Sequence, residues 1–310
     1  MRRADYQLVI VGGGPAGLTA GLYAARARLR ALLIEKGATG GQVLVTDWVD
    51  NYPGFVDGIS GFELMDKMTA HADRFGLEKV FSPVTSLDLD GPVKTIRLEN
   101  GQALTAESVI ICTGAGPRRL GIPGEQEFAG KGVSYCATCD GPFYRGQEIA
   151  VVGGGNTAIQ EAIHLTKFAD RVTVIHRRDT LRATRILQEK AFANDRIDFV
   201  WNAEVSEILG DADGVNAVLL RFRDGKRSTV PVSGIFILIG VVPNNEVLPL
   251  EQLETDEIGF VRTDTEMRTN LAGVFAAGDI RSKPFRQIIN AAGEGATAEL
   301  SAERFLSKQE

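Results

Sequence analysis

The sequence contains two copies of a strand–glycine loop–helix pattern, and this repeat restricts the fold more than any other feature. Leu8–Gly21 reads LVIVGGGPAGLTAG, and Ile149–Glu161 reads IAVVGGGNTAIQE at an offset of 141 residues. Each copy closes with an apolar run, a glycine, two small or apolar residues and a proline, at Val109–Pro117 and Ile235–Pro243. The chain therefore repeats one supersecondary unit, and this duplication organises the fold.

Each copy is typical of a βαβ unit. The continuous apolar runs Leu8–Val11 and Ile149–Val152 indicate strands that are buried on both faces. Helix-forming segments and second strands follow them, at Gly17–Arg28 and Ala31–Glu35 in the first copy and at Thr157–Phe168 and Arg171–His176 in the second. Strands that alternate with helices predict an α/β fold of two Rossmann-like, three-layer domains with parallel sheets.

The order of these segments predicts that the second domain is inserted into the first. After the second closing run, Ile235–Gly240, the chain continues for 70 residues. That tail holds a strand-like run at Val274–Ala277 and a helix-forming segment at Ile288–Leu306. The tail completes the first unit in the simplest topology.

The predicted domains are residues 1–117 with 245–310, and residues 118–244. The expected linkers are Gly114–Pro123 and Gly240–Asn245, because glycine and proline interrupt both segments.

Composition excludes several classes of protein. The chain has 310 residues with 34 basic and 40 acidic side chains, and this acidic balance argues against a nucleic-acid-binding surface. Three cysteines are too few for a disulfide framework, which favours a reducing, cytoplasmic location. No apolar run approaches the roughly 18 residues of a membrane span. The first run ends too early, at Gly12, to be a signal peptide.

The first glycine loop has the spacing of a dinucleotide site. Gly12-x-Gly14-x-x-Gly17 follows a strand and opens a helix, so that the backbone can approach a pyrophosphate. Glu35 ends the next strand, 23 residues after Gly12, where an acid binds ribose hydroxyls and repels a 2′-phosphate. This loop therefore suits FAD or NAD. The alternative is a glycine-rich turn without a ligand.

The second loop, Gly153-x-Gly155-x-x-Ala158, predicts a different nucleotide. The position equivalent to Glu35 is His176, which is followed by three arginines, Arg177, Arg178 and Arg182. Arginines bind a 2′-phosphate through charge-assisted, bidentate hydrogen bonds, so this loop favours NADP over NAD. The alternative is a solvated basic helix start. Two different dinucleotides together indicate a flavoprotein that passes hydride from NADPH to a flavin.

A cysteine pair supplies a second redox group. Cys136-x-x-Cys139 has no further cysteine or histidine nearby for a zinc site, and we expect no metal. The pair therefore indicates a redox dithiol. Asp140 adjoins it, either as a general acid or base or as an ordinary cap or turn residue. The third cysteine, Cys112, lies in an apolar strand and is expected to be a small buried side chain.

Taken together, these motifs resemble the low-molecular-weight, bacterial-type thioredoxin reductases over essentially the whole chain. The resemblance rests on segments that occur in the same order. They are GGGPAG at Gly12–Gly17, GGQ at Gly40–Gln42, NYPG at Asn51–Gly54, CATCDG at Cys136–Gly141, GGGNTA at Gly153–Ala158, HRRDTLRA at His176–Ala183, VFAAGDI at Val274–Ile280 and FRQ at Phe285–Gln287.

The resemblance implies FAD in the outer domain and NADPH in the inserted one. The implied FAD residues are Gly12, Gly14, Pro15, Ala16, Gly17, Glu35, Lys36, Gly40, Gly41, Gln42, Asn51, Thr113, Gly114, Gly278, Asp279, Arg286, Gln287 and Ile288. The implied NADPH residues are Gly153, Gly155, Asn156, Thr157, Ala158, His176, Arg177, Arg178 and Arg182. Cys136 would attack the substrate disulfide, Cys139 would face the flavin, and Asp140 would be the acid or base.

The family's partner is oxidised thioredoxin, and its usual assembly is a homodimer. The family also rotates the inserted domain, which implies a hinge at Gly114, Gly116 and Gly240. Two other readings of the chain remain: a non-catalytic flavoprotein that senses redox state, and a related reductase with a different disulfide partner or electron donor.

Two residues depart from the family's pattern. Cys112 stands where the family usually has alanine. Glu294 lies in a stretch of the last helix that is usually small and polar, close to the implied flavin contacts. We expect Glu294 to be an exposed helix residue.

Overall fold

The computed structural model describes residues 4–46 and 48–308, which divide into two compact units. Unit 1 runs up to Gly116 and resumes at Val242, and unit 2 is Pro117–Val241. Within the described ranges, no helix combines the length and the apolar character that a membrane crossing requires.

The elements follow in chain order. The strands are β1 Tyr6–Val11, β2 Ala31–Glu35, β3 Glu78–Phe81, β4 Val84–Asp88, β5 Lys94–Leu98, β6 Ala103–Ile111, β7 Ala115–Pro117, β8 Val133–Ser134, β9 Glu148–Val152, β10 Arg171–His176, β11 Ile197–Trp201, β12 Ala203–Asp211, β13 Gly214–Phe222, β14 Arg227–Pro231, β15 Gly234–Ile237, β16 Val241–Pro243 and β17 Val274–Ala276. The α-helices are α1 Pro15–Arg26, α2 Gly61–Asp73, α3 Ala137–Asp140, α4 Asn156–Leu165, α5 Arg185–Phe192 and α6 Ile288–Leu306. Short 3₁₀ helices occupy Gly41–Val45, Gly141–Tyr144 and Gly278–Ile280.

Unit 1 is built on one sheet with the strand order β3-β2-β1-β6-β5-β4, in which β17 also pairs with β6. The pairs that join β3, β2, β1, β6 and β17 are parallel, and β4 and β5 add antiparallel strands. Alternate residues of β1 enter different cores. Leu8 and Ile10 pack with the helices α1, α2 and α6, whereas Val9 and Val11 pack on the opposite face. Burial on both faces explains why β1 is a continuous apolar run.

Unit 2 has a fully parallel sheet of order β11-β10-β9-β15-β8. Residues of α3, α4 and α5 cover one face. The antiparallel sheet β12-β13-β14 covers the other. The predicted α/β fold with parallel sheets is confirmed.

Strand pairing repeats with the offset seen in the sequence. Leu8 of β1 pairs with Ala31, and Ile149 of β9 pairs with Val172, so both partners are shifted by the same 141 residues. The duplicated sequence therefore produces a duplicated register.

Some predicted boundaries are wrong by a few residues. The first helix begins at Pro15 and ends at Arg26, because proline fits the first helical turn. Arg28 then adopts a left-handed conformation, with φ of 62°. The closing strand of the second copy ends at Ile237, before Gly240.

The segments that connect the units, β7 and β16, pair with each other as a short sheet. Gly114 precedes β7 and Gly240 precedes β16, and both have positive φ angles, of 75° and 119°. Glycine is the residue that adopts this conformation without strain.

Helix α6 carries a buried carboxyl. Glu299 is 1% exposed, and among the described residues neither of its carboxylate oxygens has a hydrogen-bond partner. Burial, together with the negative charge of Glu303, raises the pKa of Glu299 to about 7. A carboxyl without hydrogen bonds or an ion pair is therefore held in a site that disfavours its charged form.

The free energy of unfolding of the parent should fall between pH 5 and pH 8, and we expect Glu299→Gln to abolish this fall. The folded pKa of about 7 exceeds the ordinary glutamate pKa of 4.5, which applies to the unfolded chain. The stability from the neutral carboxyl is therefore fully present below the unfolded pKa and is lost as the pH rises through 7. Urea unfolding should show the parent losing about 1–3 kcal/mol more than Glu299→Gln over this range. Glu303→Gln, an exposed change one turn away, should keep most of the parent's slope, and identical pH profiles for parent and Glu299→Gln would contradict the prediction.

Candidate active site

Four of the residues implied for FAD lie at one edge of the sheet in unit 1. Gly12 follows β1, Glu35 ends β2, Thr113 lies just beyond β6, and Gly278 lies just beyond β17. These strands are parallel neighbours, so their carboxyl ends meet at the same edge. In open α/β sheets, ligands bind in the crevice at this edge.

The first glycine loop distinguishes glycines that the fold requires from a glycine that a ligand would require. A Cβ on Gly12 would lie 2.3 Å from the carbonyl oxygen of Cys112, and a Cβ on Gly17 would lie 1.8 Å from the carbonyl oxygen of Gly12. Both approaches are sterically impossible. A Cβ on Gly14, by contrast, would have no protein atom within 4 Å. The open side of Gly14 fits the close approach of a diphosphate to the start of α1.

Glu35 and the turn at Gly40–Gly41 surround this loop. The Glu35 carboxylate accepts hydrogen bonds from the backbone N–H groups of Gly13, at 2.7 Å, and Lys36, at 2.8 Å. The Gly40 N–H donates to the Gly13 carbonyl at 2.8 Å. The carboxylate is thus held beside the glycine loop, where ribose hydroxyls would meet it.

Two further observations concern implied FAD residues outside the glycine loop. The Asn51 side-chain amide donates to Gln287 Oε1 at 3.1 Å, although 236 residues separate them. The Thr113 hydroxyl oxygen is buried and has no hydrogen-bond partner in the described part of the chain. A buried hydroxyl without a protein partner fits a site that a polar ligand completes.

Asp279 and Arg286 lie in the loop between β17 and α6. The Arg286 guanidinium lies 4.0 Å from the centre of the Phe260 ring and donates to the carbonyls of Arg281 and Lys283, each at 3.2 Å. Burial raises the pKa of Asp279, and the positive charge of Lys283 opposes this shift. Arg286 therefore holds this loop through its backbone carbonyls.

The prediction that Glu294 is exposed is wrong. Its side chain is 15% exposed and accepts a hydrogen bond from the Gly278 N–H at 2.8 Å. It also forms ion pairs with Arg281, at 2.8 Å, and Lys283, at 3.1 Å, and Lys283 in turn pairs with Asp279 at 3.1 Å. Glu294 thus joins helix α6 to the loop that carries Asp279. The sequence pattern showed a helix but not that this basic loop packs against it.

Cys112 is a buried free thiol, as predicted. Burial raises its pKa, and the negative charge of Glu294 adds to this shift. A thiol with a raised pKa is unreactive, because the thiolate is the nucleophile.

The second glycine loop repeats the first in unit 2. A Cβ on Gly153 would lie 2.6 Å from the Leu238 carbonyl oxygen, and a Cβ on Gly155 would meet nothing within 4 Å. These positions correspond to Gly12 and Gly14 of the first copy. The same open approach therefore exists at the start of α4.

His176 occupies the position of Glu35 but has a different environment. A Cβ on Gly154 would lie 2.3 Å from the His176 ring, and His176 Nε2 is 3.1 Å from the Thr180 carbonyl oxygen. Burial, together with the positive charges of Arg182, Arg178 and Arg177, lowers the pKa of His176. The ring is therefore neutral at pH 7 and shapes the loop that follows it.

The three implied arginines lie on that loop. Residues 177–184 are not helical, and α5 begins only at Arg185, so the three arginines lie on an exposed loop before the helix and not in its first turn. The Arg182 N–H donates to the Gly154 carbonyl at 2.7 Å, and the Thr184 N–H donates to Asn156 Oδ1 at 2.8 Å. The loop is thereby tied to the second glycine loop.

Cys136 and Cys139 form a disulfide and are both partly exposed. The buried hydroxyl of Ser134, at the end of β8, donates to Asp140 Oδ2 at 2.5 Å and accepts from the Cys136 N–H at 3.1 Å. Asp140 ends α3 and does not cap the next helix with its side chain. Ser134 therefore links the Asp140 carboxylate to the backbone of Cys136. Sequence reasoning missed this serine, since no motif marks it.

The chain resembles known proteins along its length. Residues 6–295 match the pyridine nucleotide-disulphide oxidoreductase family. The chain belongs to this family. It is 47% identical to the thioredoxin reductase of Listeria innocua over 98% of this chain and 94% of that protein. It is 48% identical to the thioredoxin reductase of Streptomyces coelicolor over 97% and 94%. The crystal structure of thioredoxin reductase from Streptococcus pyogenes matches with a TM-score of 0.93 at 45% identity, covering 99% of this chain and 100% of that one.

The thioredoxin reductases of the pyridine nucleotide-disulphide oxidoreductase family use FAD and NADPH. The open sides of Gly14 and Gly155, together with the unpartnered Thr113 hydroxyl, fit such ligands.

We expect Gly14→Ala and Gly17→Ala to separate ligand binding from folding. A methyl group on Gly14 meets no protein atom, so the apoprotein should keep its melting temperature while FAD binding weakens by about tenfold or more. A methyl group on Gly17 collides with backbone, so that variant should lose both stability and FAD. Thermal unfolding of the apoprotein and FAD titration by fluorescence measure the two effects. Unchanged FAD affinity in Gly14→Ala would contradict this assignment.

Proposed function

We propose that this chain is a thioredoxin-disulfide reductase, which passes electrons from NADPH through FAD to the Cys136–Cys139 disulfide and on to oxidised thioredoxin. The observation that carries the proposal is this partly exposed disulfide, in a chain that matches thioredoxin reductases over nearly their whole length. Unit 1 would be the FAD domain, and unit 2 would be the NADPH domain that carries the disulfide.

Each nucleotide site would lie at the carboxyl edge of the parallel strands in its unit. In unit 1, the loop from Gly12 to Gly17 would hold the FAD diphosphate and Glu35 the ribose. The rest of the FAD molecule would be lined by Asn51, Thr113, Asp279 and Gln287. FAD, when bound, accepts hydride from NADPH and supplies two electrons for disulfide reduction. The protein contributes orientation and charge.

In unit 2, the second glycine loop would hold the NADPH diphosphate. Residues 177–184, which we call the arginine loop, would hold its 2′-phosphate. No carboxylate stands at the position of Glu35, so a 2′-phosphate meets no repulsion there. The positive charges of Arg177, Arg178 and Arg182 favour a dianionic phosphate over a hydroxyl. This arrangement supports NADPH as the donor.

The reduced pair would act by thiol–disulfide exchange. The Cys136 thiolate attacks one sulfur of the substrate disulfide, and the other sulfur leaves as a thiolate that Asp140 protonates. The Cys139 thiolate then attacks Cys136 Sγ in the mixed disulfide. This step releases the second substrate thiolate and restores the Cys136–Cys139 disulfide. Ser134 would keep Asp140 oriented through the hydrogen bond at 2.5 Å.

The family resemblance also supports a cytoplasmic homodimer that binds neither nucleic acid nor membrane. The net charge of −6 is consistent with the absence of a nucleic-acid-binding surface. Gly114 and Gly240, with their positive φ angles, would be the hinge positions of the linkers.

Steady-state NADPH oxidation by the FAD-loaded protein tests the proposal. We expect turnover with oxidised thioredoxin and a higher kcat/KM with NADPH than with NADH. A redox sensor would show no turnover, and a reductase with another partner would reduce a small aromatic disulfide but not thioredoxin. A preference for NADH would contradict the assignment of the arginine loop.

A further inference from the structure

A cavity of about 520 Å³ in unit 2 extends beyond the arginine loop. Two of the implied 2′-phosphate residues, Arg177 and Arg178, line one side of it. Two further arginines also line it: Arg221 lies near the end of β13, and Arg223 follows the strand directly. The cavity therefore brings together arginines from the loop after β10, in the parallel sheet, and from the end of β13, in the antiparallel sheet.

Backbone hydrogen bonds of one residue, Asn202, link the two sheets at this point. Asn202 is the corner between β11 and β12 and has a positive φ of 54°. Its N–H donates to the Arg178 carbonyl at 3.2 Å, and its own carbonyl accepts from the Arg223 N–H at 2.9 Å. Two backbone hydrogen bonds, both made by Asn202, thus connect the arginine loop to the residue that follows β13.

The cavity has a strong excess of positive charge. Its lining contains four arginines and one carboxylate, Glu204, which pairs with Arg221 at 3.4 Å. Among residues 4–46 and 48–308, Arg177, Arg178 and Arg223 form no ion pair. Like charges held together without a counter-ion repel one another, and a dianion placed among them relieves that repulsion.

We propose that Arg223 and Arg221 are specificity-determining residues that extend the site for the 2′-phosphate of NADPH, and that Glu204 weakens this site by holding Arg221. The inference rests on the proposed function, in which unit 2 binds NADPH. It adds charge from the antiparallel sheet to a site that sequence motifs confine to the loop after β10. These residues act on the phosphate alone, so they discriminate between NADPH and NADH.

Binding of adenosine 2′,5′-bisphosphate and adenosine 5′-monophosphate, measured by calorimetry, tests the inference without turnover. Arg223→Gln should lower the affinity for the bisphosphate by about three- to tenfold, and the affinity for the monophosphate by less than about twofold. The difference should shrink at high salt, because salt screens exposed charges. Arg196→Gln removes the same charge from an exposed position outside the cavity and should leave both affinities unchanged.

Glu204→Gln gives the opposite change, because it frees Arg221 and removes a negative charge from the lining. The Glu204→Gln variant should bind the bisphosphate about two- to fivefold more tightly than the parent, and the Arg221→Gln variant should bind it more weakly. If Arg178→Gln weakens the bisphosphate selectively while Arg223→Gln and Arg221→Gln do not, this inference is wrong and the NADPH assignment stands. If the unmutated protein binds both probes equally, the NADPH assignment itself is wrong. Far-ultraviolet circular dichroism of each variant checks that the fold is kept.

Discussion

Replacing either Cys136 or Cys139 with serine should reduce turnover with thioredoxin by roughly a thousandfold or more. Each variant removes one sulfur of the only disulfide that the described residues contain. A serine hydroxyl cannot form the mixed disulfide or resolve it, so neither half of the exchange can be completed. The measurement is NADPH oxidation with oxidised thioredoxin under saturating conditions.

The third cysteine provides a matched control. Cys112→Ala removes a sulfur of the same kind from a buried site where the pKa of the thiol is raised. It should keep kcat within about twofold of the parent, since an inert buried thiol takes no part in exchange. A thiol count after anaerobic NADPH addition adds an independent readout. The parent should gain two reactive thiols, and the serine variants should gain none. Substantial thioredoxin turnover by Cys139→Ser would mean that electrons reach the substrate by another route.

Much of this architecture follows from the duplicated pattern. The offset between Gly12 and Gly153 predicted two sheets of the same kind, and the strand registers keep that offset. The offset also placed His176 where Glu35 stands in the first copy, which is the basis for expecting two different nucleotides. Local periodicity and spacing suffice here, because neighbouring residues in the chain determine both the strand and the glycine loop.

Features that depend on contacts between distant segments could not be predicted in this way. Ser134 contacts Asp140 because β8 ends beside α3, and no local pattern marks that approach. Arg223 is connected to the arginine loop through the corner at Asn202. Glu294 looked like an exposed helix residue because its partners, Arg281 and Lys283, belong to a loop whose path the sequence does not specify. In each case a polar group is satisfied by a partner that only tertiary packing supplies.

Glu294→Ala should cost more stability than changes at exposed positions of α6. The substitution leaves the Gly278 N–H without its acceptor and removes the shared counter-ion of Arg281 and Lys283, which are 12% and 7% exposed. Breaking a buried pair by removing one partner leaves an uncompensated charge. Asp279 still pairs with Lys283 in this variant, and this remaining pair limits the loss. We expect the free energy of unfolding to fall by about 2–4 kcal/mol.

The same change should weaken FAD binding, because Glu294 holds the backbone of Gly278 and, through Lys283, the carboxylate of Asp279. We expect the FAD dissociation constant to rise about tenfold or more in Glu294→Ala, and less in Glu294→Gln, whose amide oxygen can still accept from Gly278. Glu303→Ala, an exposed change on the same helix, serves as the control for both measurements. Urea unfolding of the apoprotein separates the stability effect from the loss of ligand. If Glu294→Ala unfolds and binds FAD like Glu303→Ala, the ion pairs around Glu294 do not position the loop, and Asp279 must be held by Lys283 and Arg286 alone.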